Sequence, residues 1–254
     1  MSEITVSAIT KELKEIRDLN GFDAFIAKYA ADNRDSVVKL VCKASKQKEA
    51  LMAEFARTEE MKKYEKQYSD YEFICGIDEV GRGPLAGPVY AAAVILPKDC
   101  DILYLNDSKK LTAAKREELY DIILKKAVSV GIGFRSPERI DEINILQATY
   151  ESMRDAVSKL NPQPTLLLND AVTIPGLNFK QVPIIKGDAK SISIAAASIV
   201  AKVTRDRLMD EYDKKYPEYG FASNKGYGSA AHIEAIKKYG PCEIHRRTFI
   251  KNFL

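Results

Sequence analysis

The chain has 254 residues, 39 Lys and Arg against 36 Asp and Glu, two histidines, four cysteines and no tryptophan. A hydrophobic share of 46% with 30% charged residues describes a chain that buries a core, and the net charge of +3 neither demands nor forbids a polyanionic partner. His232 and His245 alone rule out a histidine-rich metal site, and Cys42, Cys75, Cys100 and Cys242 form no C-x-x-C pair, which excludes zinc ribbons and fingers and leaves reduced thiols as the expectation.

The N-terminus, MSEITVSAITKELKEIRD, is interrupted by charges and has no signal-peptide core. No apolar run of about 18 residues follows anywhere, so the expectation is a cytoplasmic protein without a membrane span. Residues 1–70 contain no proline and only Gly21 as glycine. Their apolar residues recur at helical spacing (Leu13, Ile16, Leu19; Phe22, Phe25, Ile26; Val37, Val38, Leu40, Val41), with Asp35-Ser36 as a cap and a long solvated helix over 44–68. This predicts a small all-helical extension over 1–70. It carries 13 positive and 13 negative side chains, yet Arg34, Lys39, Lys43, Lys46 and Lys48 cluster with only Asp35 opposing. A solvated helix face and a nucleic-acid contact both fit that cluster.

From Tyr71 strands and helices alternate. Strands are predicted over 73–77, 89–96, 128–134, 165–168 and 182–185. Helices are predicted over 112–127, over 136–160 with a break near Asn144, and over 191–216. The pattern indicates an α/β domain over 71–254, a sheet flanked by helices.

Acidic residues stand where these strands stop. Asp78-Glu79 precede Gly81-Arg82-Gly83, Asp170 follows Leu166-Leu167-Leu168, and Asp188 follows Ile184-Ile185. Adjacent Asp78 and Glu79 leave an ideal strand on opposite sides, and a bend at the strand end, permitted by the following glycines, would let both reach one site. Four gathered carboxylates repel unless cations intervene, and hard divalent ions with oxygen ligands, Mg²⁺ or Mn²⁺, suit such a set. Two ions about 3.5–4 Å apart would serve phosphodiester hydrolysis. Glycines around Arg82 let backbone approach a ligand, Ser108-Lys109-Lys110 before a helix suit a phosphate, and Tyr227 between Gly226 and Gly228 suits stacking on a base or sugar. Each has an ordinary reading beside it: a cap, a turn or half-buried packing.

Together these segments closely resemble the signature of the bacterial ribonuclease HII family. The match runs from Gly76-Ile77-Asp78-Glu79-Val80-Gly81-Arg82-Gly83 through Asp107-Ser108-Lys109-Lys110, Leu168-Asn169-Asp170-Ala171, Lys186-Gly187-Asp188-Ala189-Lys190 and Ile194–Asp206. It ends with Lys225-Gly226-Tyr227-Gly228 and Gly240-Pro241 to His245-Arg246, covering about residues 71–250 in family order. The resemblance implies a ribonuclease-H-like mixed sheet. It implies an endonuclease that cuts RNA in RNA–DNA hybrids and at single ribonucleotides embedded in duplex DNA, 5′ of the ribonucleotide, leaving 3′-hydroxyl and 5′-phosphate. Asp78, Glu79, Asp170 and Asp188 match the catalytic metal ligands, and Gly81-Arg82-Gly83 the motif that reads the 2′-OH. Ser108, Lys109 and Lys110 match phosphate-holding residues, and Tyr227 the aromatic that stacks on the next sugar. A monomer with a two-metal site is expected. Asn169 departs from the valine more usual there, which predicts a less buried strand. A type III ribonuclease H acting on longer hybrids and a non-catalytic hybrid-binding module are the competing readings. Gly81-Arg82-Gly83 with Tyr227 argue against the first, and the complete acidic set against the second.

Overall fold

Short polar side chains set where the first helices begin. In the computed structural model, which describes residues 4–253, Thr5 accepts from Ala8 N to cap α1 (Val6–Glu15) and Asp18 accepts from Gly21 N to cap α2 (Leu19–Tyr29). The cap at Asp18 splits the stripe read through Leu13, Ile16 and Leu19: Ile16 is extended and closes α1, and Leu19 opens α2. Helix α3 (Asp35–Met61) begins nine residues before the predicted Ala44, and a turn at Lys62 separates it from the short α4 (Lys63–Gln67). The chain divides into two compact units, Met1–Glu60 and Met61–Leu254. In the first, Ile9, Leu13, Phe22, Phe25, Tyr29, Val37 and Ala44 are buried.

The second unit is built on one mixed sheet of five strands: β1 (Ile74–Val80), β2 (Val89–Ile95), β3 (Ser129–Arg135), β4 (Leu166–Asp170) and β5 (Lys180–Ile184), ordered β3-β2-β1-β4-β5. Strands β1, β2 and β3 pair antiparallel, while β4 runs parallel to both β1 and β5. Helix α5 (Ala113–Lys126) follows β2, and α6 (Pro137–Ser158) follows β3. After β5 come α7 (Ile192–Lys215), α8 (Phe221–Asn224) and α9 (Ala230–Tyr239). The break predicted near Asn144 is present: its φ of 68° interrupts α6, and its Oδ1 accepts from Leu146 N and Gln147 N to restart the helix.

Alternation along the strands divides the core. Cys75, Ile77, Ala91 and Ala93 pack with Met153, Ala156 and Val157 of α6; Ala92 and Val94 pack with Leu119 and Ile123 of α5 and Ile199 and Val200 of α7. Glycines let the helices approach. A Cβ at Gly76 would lie 2.1 Å from the Ser193 carbonyl carbon of α7, and one at Gly133 would lie 2.1 Å from Ser152 O of α6. Helix α4 packs within this unit. Glu65 Oε1 accepts from Ser191 Oγ at 2.5 Å and Ser193 N at 3.0 Å, capping the start of α7 from more than 120 residues away in sequence.

Two expectations change. Strand β1 runs on to Val80, so Asp78 and Glu79 remain paired with Ala92 and Ala91 of β2. Strand β4 is not less buried for carrying Asn169. That side chain is fully enclosed because its Nδ2 donates to Gln181 Oε1 on β5 at 2.8 Å.

Candidate active site

Strand register brings the first two carboxylates together. Ile77 lies opposite Asn169 in the parallel pair β1/β4, so the next positions, Asp78 and Asp170, are lateral neighbours on the α7 face. Asp188 sits in a single 3₁₀ turn, Gly187–Ala189, after β5. Gly187 N donates to Asp170 Oδ1 at 2.7 Å, which ties that turn to the end of β4. Glu79 leaves β1 on the opposite side, with Oε1 3.3 Å from Arg82 Nη1.

The electrostatics show these groups acting on one another. Burial, then repulsion from Glu79 and Asp170, holds Asp78 well above the usual carboxylate range, against the opposing hydrogen bond from Ser198. Glu79 is raised by burial and by Asp170, while Arg82 and Lys109 pull it down. Asp188 is raised by burial, by Asp107 and by Asp170, and its carboxyl is in hydrogen-bonding contact with that of Asp107, a pairing that needs a shared proton or a cation. Burial lowers Lys109, but Asp107, Asp188, Asp78 and Asp170 together hold it above its ordinary value. Lys109 and Lys110 line a cleft of about 480 Å³ with Asp107, Asp170 and Asp188.

Ser108 is placed differently from the two lysines. It is buried, and its Oγ lies 2.9 Å from Ser198 Oγ on α7. Either hydroxyl of that pair can be the donor, and Ser198 is also among the groups that favour the charged form of Asp78.

The glycine loop after β1 is held from behind by two fully buried arginines. Arg205 donates to Pro88 O, Lys225 O and Ala86 O at 3.0, 2.8 and 3.1 Å. Arg246 donates to Gly87 O, Arg82 O and Gly81 O at 2.9, 2.8 and 2.5 Å. Burial first, then Arg205, pushes Arg246 down to about 9. Gly81 has φ of +90°, and a Cβ there would lie 2.3 Å from Arg205 Nε, so both conformation and space require glycine. Leu85 N donates to Gly226 O at 2.8 Å, and a Cβ added at Gly83 would lie 3.7 Å from Tyr227 Cε1. Tyr227 is 46% exposed. The predicted residues thus fall into a carboxylate–lysine cluster and a glycine–tyrosine surface, linked by the contact between Arg82 and Glu79.

Asp107, Ser198, Arg205 and Arg246 lie inside the family-like motifs, and their part in the site emerges only from the structure. Asp107 next to Ser108-Lys109-Lys110 was one more acid in a functional segment, and it was the available signal.

The donor set is oxygen throughout, and Asp78, Glu79 and Asp188 within it are raised by burial and neighbouring acids, which suits a hard divalent cation. Among the described residues no three such groups converge on one point at coordination distance; Glu79 is engaged with Arg82 and Asp188 with Asp107.

A family model described as Ribonuclease HII matches residues 75–252, and one described as Ribonuclease HII N-terminal domain matches residues 5–69. The chain belongs to the ribonuclease HII family. It is 65% identical to the ribonuclease HII of Lachnoclostridium phytofermentans over 98% of both chains. To that of Bacillus subtilis it is 49% identical, over 98% of this chain and 97% of the other. It is a ribonuclease H, an endonuclease acting on RNA–DNA hybrids. The crystal structure of the ribonuclease H2 from Pyrococcus horikoshii superposes with a TM-score of 0.61 at 29% identity, covering 72% of this chain and 97% of that one. The ribonuclease HIII of a crystal structure in complex with Mn²⁺ (Bst-RNase HIII) shares the fold, with a TM-score of 0.52 at 16% identity over 65% of this chain and 61% of that one. No helix among the described residues of the chain is long and apolar enough to cross a membrane.

Proposed function

We propose that the enzyme incises duplex DNA on the 5′ side of single embedded ribonucleotides, as well as cutting longer hybrids, and leaves 3′-hydroxyl and 5′-phosphate ends. The observation that carries this reading is the contact of the carboxylate cluster with the glycine–tyrosine surface through Arg82. A site for hydrolysis then lies beside a surface able to recognise a sugar. Asp78, Glu79, Asp170 and Asp188 would hold Mg²⁺ or Mn²⁺, in a two-ion arrangement. Bound there, the ions would lower the pKa of an attacking water and neutralise charge on the scissile phosphate and the departing 3′-oxygen.

The chain's own groups do the rest. Backbone of Gly81, Arg82 and Gly83 meets the ribose 2′-OH, the group that separates RNA from DNA, without an intervening side chain at the glycines. Tyr227, half-exposed, stacks on the neighbouring sugar. Lys109 and Lys110 face the backbone phosphates, and Ser108, turned inward, anchors their loop to Ser198. Two buried histidines engaged with each other take no part in proton transfer to substrate. This activity belongs to ribonucleotide removal during replication and repair. A cytoplasmic monomer is the form proposed; the four free thiols suit a reducing compartment.

Asp78→Asn is expected to lower cleavage of a duplex with one embedded ribonucleotide by at least about a hundredfold, with hybrid affinity within about threefold of the parent. Single-turnover cleavage and a binding titration measure the two. Good cleavage of a long hybrid by the parent enzyme, without incision at a single ribonucleotide, would instead favour the type III reading.

For the Met1–Glu60 unit we propose substrate binding. Lys39, Lys43 and Lys46 lie on one stripe of α3 at i, i+4 and i+7 and, with Val38 and Cys42, line a shallow depression. Lys48 and Arg34 pair with Asp23 and Asp32. Replacing the three stripe lysines by alanine should raise KM and flatten its dependence on log salt by about 2–3. An unchanged KM across salt would assign the unit another role.

A further inference from the structure

We infer that His232 and His245 form a one-way hydrogen-bond chain that positions Tyr227 beside the glycine loop, making both histidines positioning residues for recognition at a single ribonucleotide. The inference rests on the proposed stacking role of Tyr227. These are the only histidines in the chain, and both are buried, at 0% and 2% exposure. Catalysis by the carboxylates leaves them unexplained.

The chain's direction follows from its two ends. At one end Cys242 N lies 3.0 Å from His245 Nδ1. A backbone N–H only donates, so that Nδ1 is an acceptor and carries no proton. In neutral His245 the proton is therefore on Nε2, which lies 3.0 Å from His232 Nε2. His232 Nε2 must accept, which puts the His232 proton on Nδ1. That atom lies 2.8 Å from Tyr227 O, a carbonyl that only accepts. Every link is satisfied in one tautomeric arrangement: Cys242 N–H to His245, His245 to His232, His232 to Tyr227. An added proton would set two donors against each other either between the rings or at Cys242 N. Burial, then repulsion from His232, pushes His245 down to about 4, and burial lowers His232, so both rings stay neutral at physiological pH.

The surroundings fix the rings as well as their protons. Tyr219 meets His245 edge-on with centroids 4.9 Å apart, and Phe221 meets His232 edge-on at 5.3 Å. The Tyr227 carbonyl also accepts from Ser229 N at 2.8 Å, while Tyr227 N donates to Asn224 O at 2.9 Å. The peptide that carries the exposed ring is thus held on both sides, and the His232 bond is its tie to the C-terminal segment. That segment in turn meets the glycine loop: Gly87 N donates to Ile244 O, and Arg246 N to Leu85 O.

Two measurements on the full-length protein test this. Long-range ¹⁵N–¹H spectra at pH 7 are expected to show His232 protonated on Nδ1 and His245 on Nε2, with no substrate needed. Any other pair of tautomers overturns the chain. In the second, a duplex with one ribonucleotide is compared with a long hybrid. His232→Ala should raise KM on the single-ribonucleotide duplex by roughly threefold to tenfold, with kcat on the long hybrid near the parent value. His232→Asn, whose amide N–H replaces the Nδ1–H donor, should recover most of the loss. Equal loss on both substrates, or no recovery with asparagine, would show a general structural role and overturn the positioning role. Tyr227→Ala serves as the reference. If it too leaves the substrate preference unchanged, the stacking role fails and the inference with it; if it abolishes the preference while His232→Ala does not, the histidine chain alone is refuted.

Discussion

At Asp78 the requirements of stability and of chemistry oppose each other. The carboxyl is buried, it neighbours Glu79 and Asp170, and Ser198 alone among the influences named favours its charge through a side chain. Its raised pKa means that the folded protein prefers the neutral form, so ionisation at pH 7 weakens the fold. Asp78→Asn should therefore raise Tm when divalent cations are chelated, by roughly 2–4 °C for each kcal/mol of repulsion removed. Thermal unfolding in EDTA measures it, and a lowered Tm would contradict the sign. Adding a divalent cation should raise the Tm of the parent and leave that of the variant less changed, because the cation then has one fewer carboxylate to neutralise.

Among the elements, α7 does most to connect core and site. Its first turn lies against Gly76, its second presents Ser198 to Asp78 and Ser108, and its middle carries Arg205 to the glycine loop. Gly76→Ala would force a Cβ to 2.1 Å from Ser193 main chain, where neither β1 nor α7 has a flexible side chain to yield. A loss of about 1–3 kcal/mol or more is expected in urea unfolding, with cleavage reduced alongside it as Ser198 shifts from Asp78. Strand ends and their acids were legible in the sequence because both signals are local: a short apolar run, then Asp-Glu or Asp beside glycine. What remained hidden was carried by long-range contacts. Arg205 reaches Pro88 across 117 residues and Arg246 reaches Gly87 across 159, and nothing near either arginine in sequence marks it as a clamp for backbone carbonyls. Glu65 capping α7 was invisible for the same reason. Asn169 misled because a lone polar residue in a strand suggests exposure, whereas its partner Gln181 lies on the next strand.

For the whole molecule, acid titration should expose the buried imidazoles. His245 faces His232, the Cys242 thiol, the Tyr219 ring and, at longer range, Arg247. Its folded pKa of about 4 lies below the ordinary 6.5, so between those values the unfolded chain binds more protons and stability falls as pH falls. The full effect is on the order of 3 kcal/mol, complete near pH 4 and absent above about pH 7. Asp78, Glu79 and Asp188, raised in the fold, work in the opposite direction as pH falls. Comparison with His245→Phe isolates the imidazole: the difference in unfolding free energy between pH 7 and pH 5 should be smaller in the variant. An identical difference would show that His245 is already accessible to protons in the folded state.

The two carbonyl clamps have a consequence for redesign. Arg205 bonds Pro88 and Ala86 on one loop and Lys225 on another, so the glycine loop and the Tyr227 loop share a single fastener. All three acceptors are main-chain carbonyls, which any residue supplies, so the buried guanidinium senses the path of the two loops and not their side chains. Loop sequence can therefore vary while the backbone path holds, whereas an insertion or deletion in either loop would strand the guanidinium, so loop length is the quantity this fastener constrains.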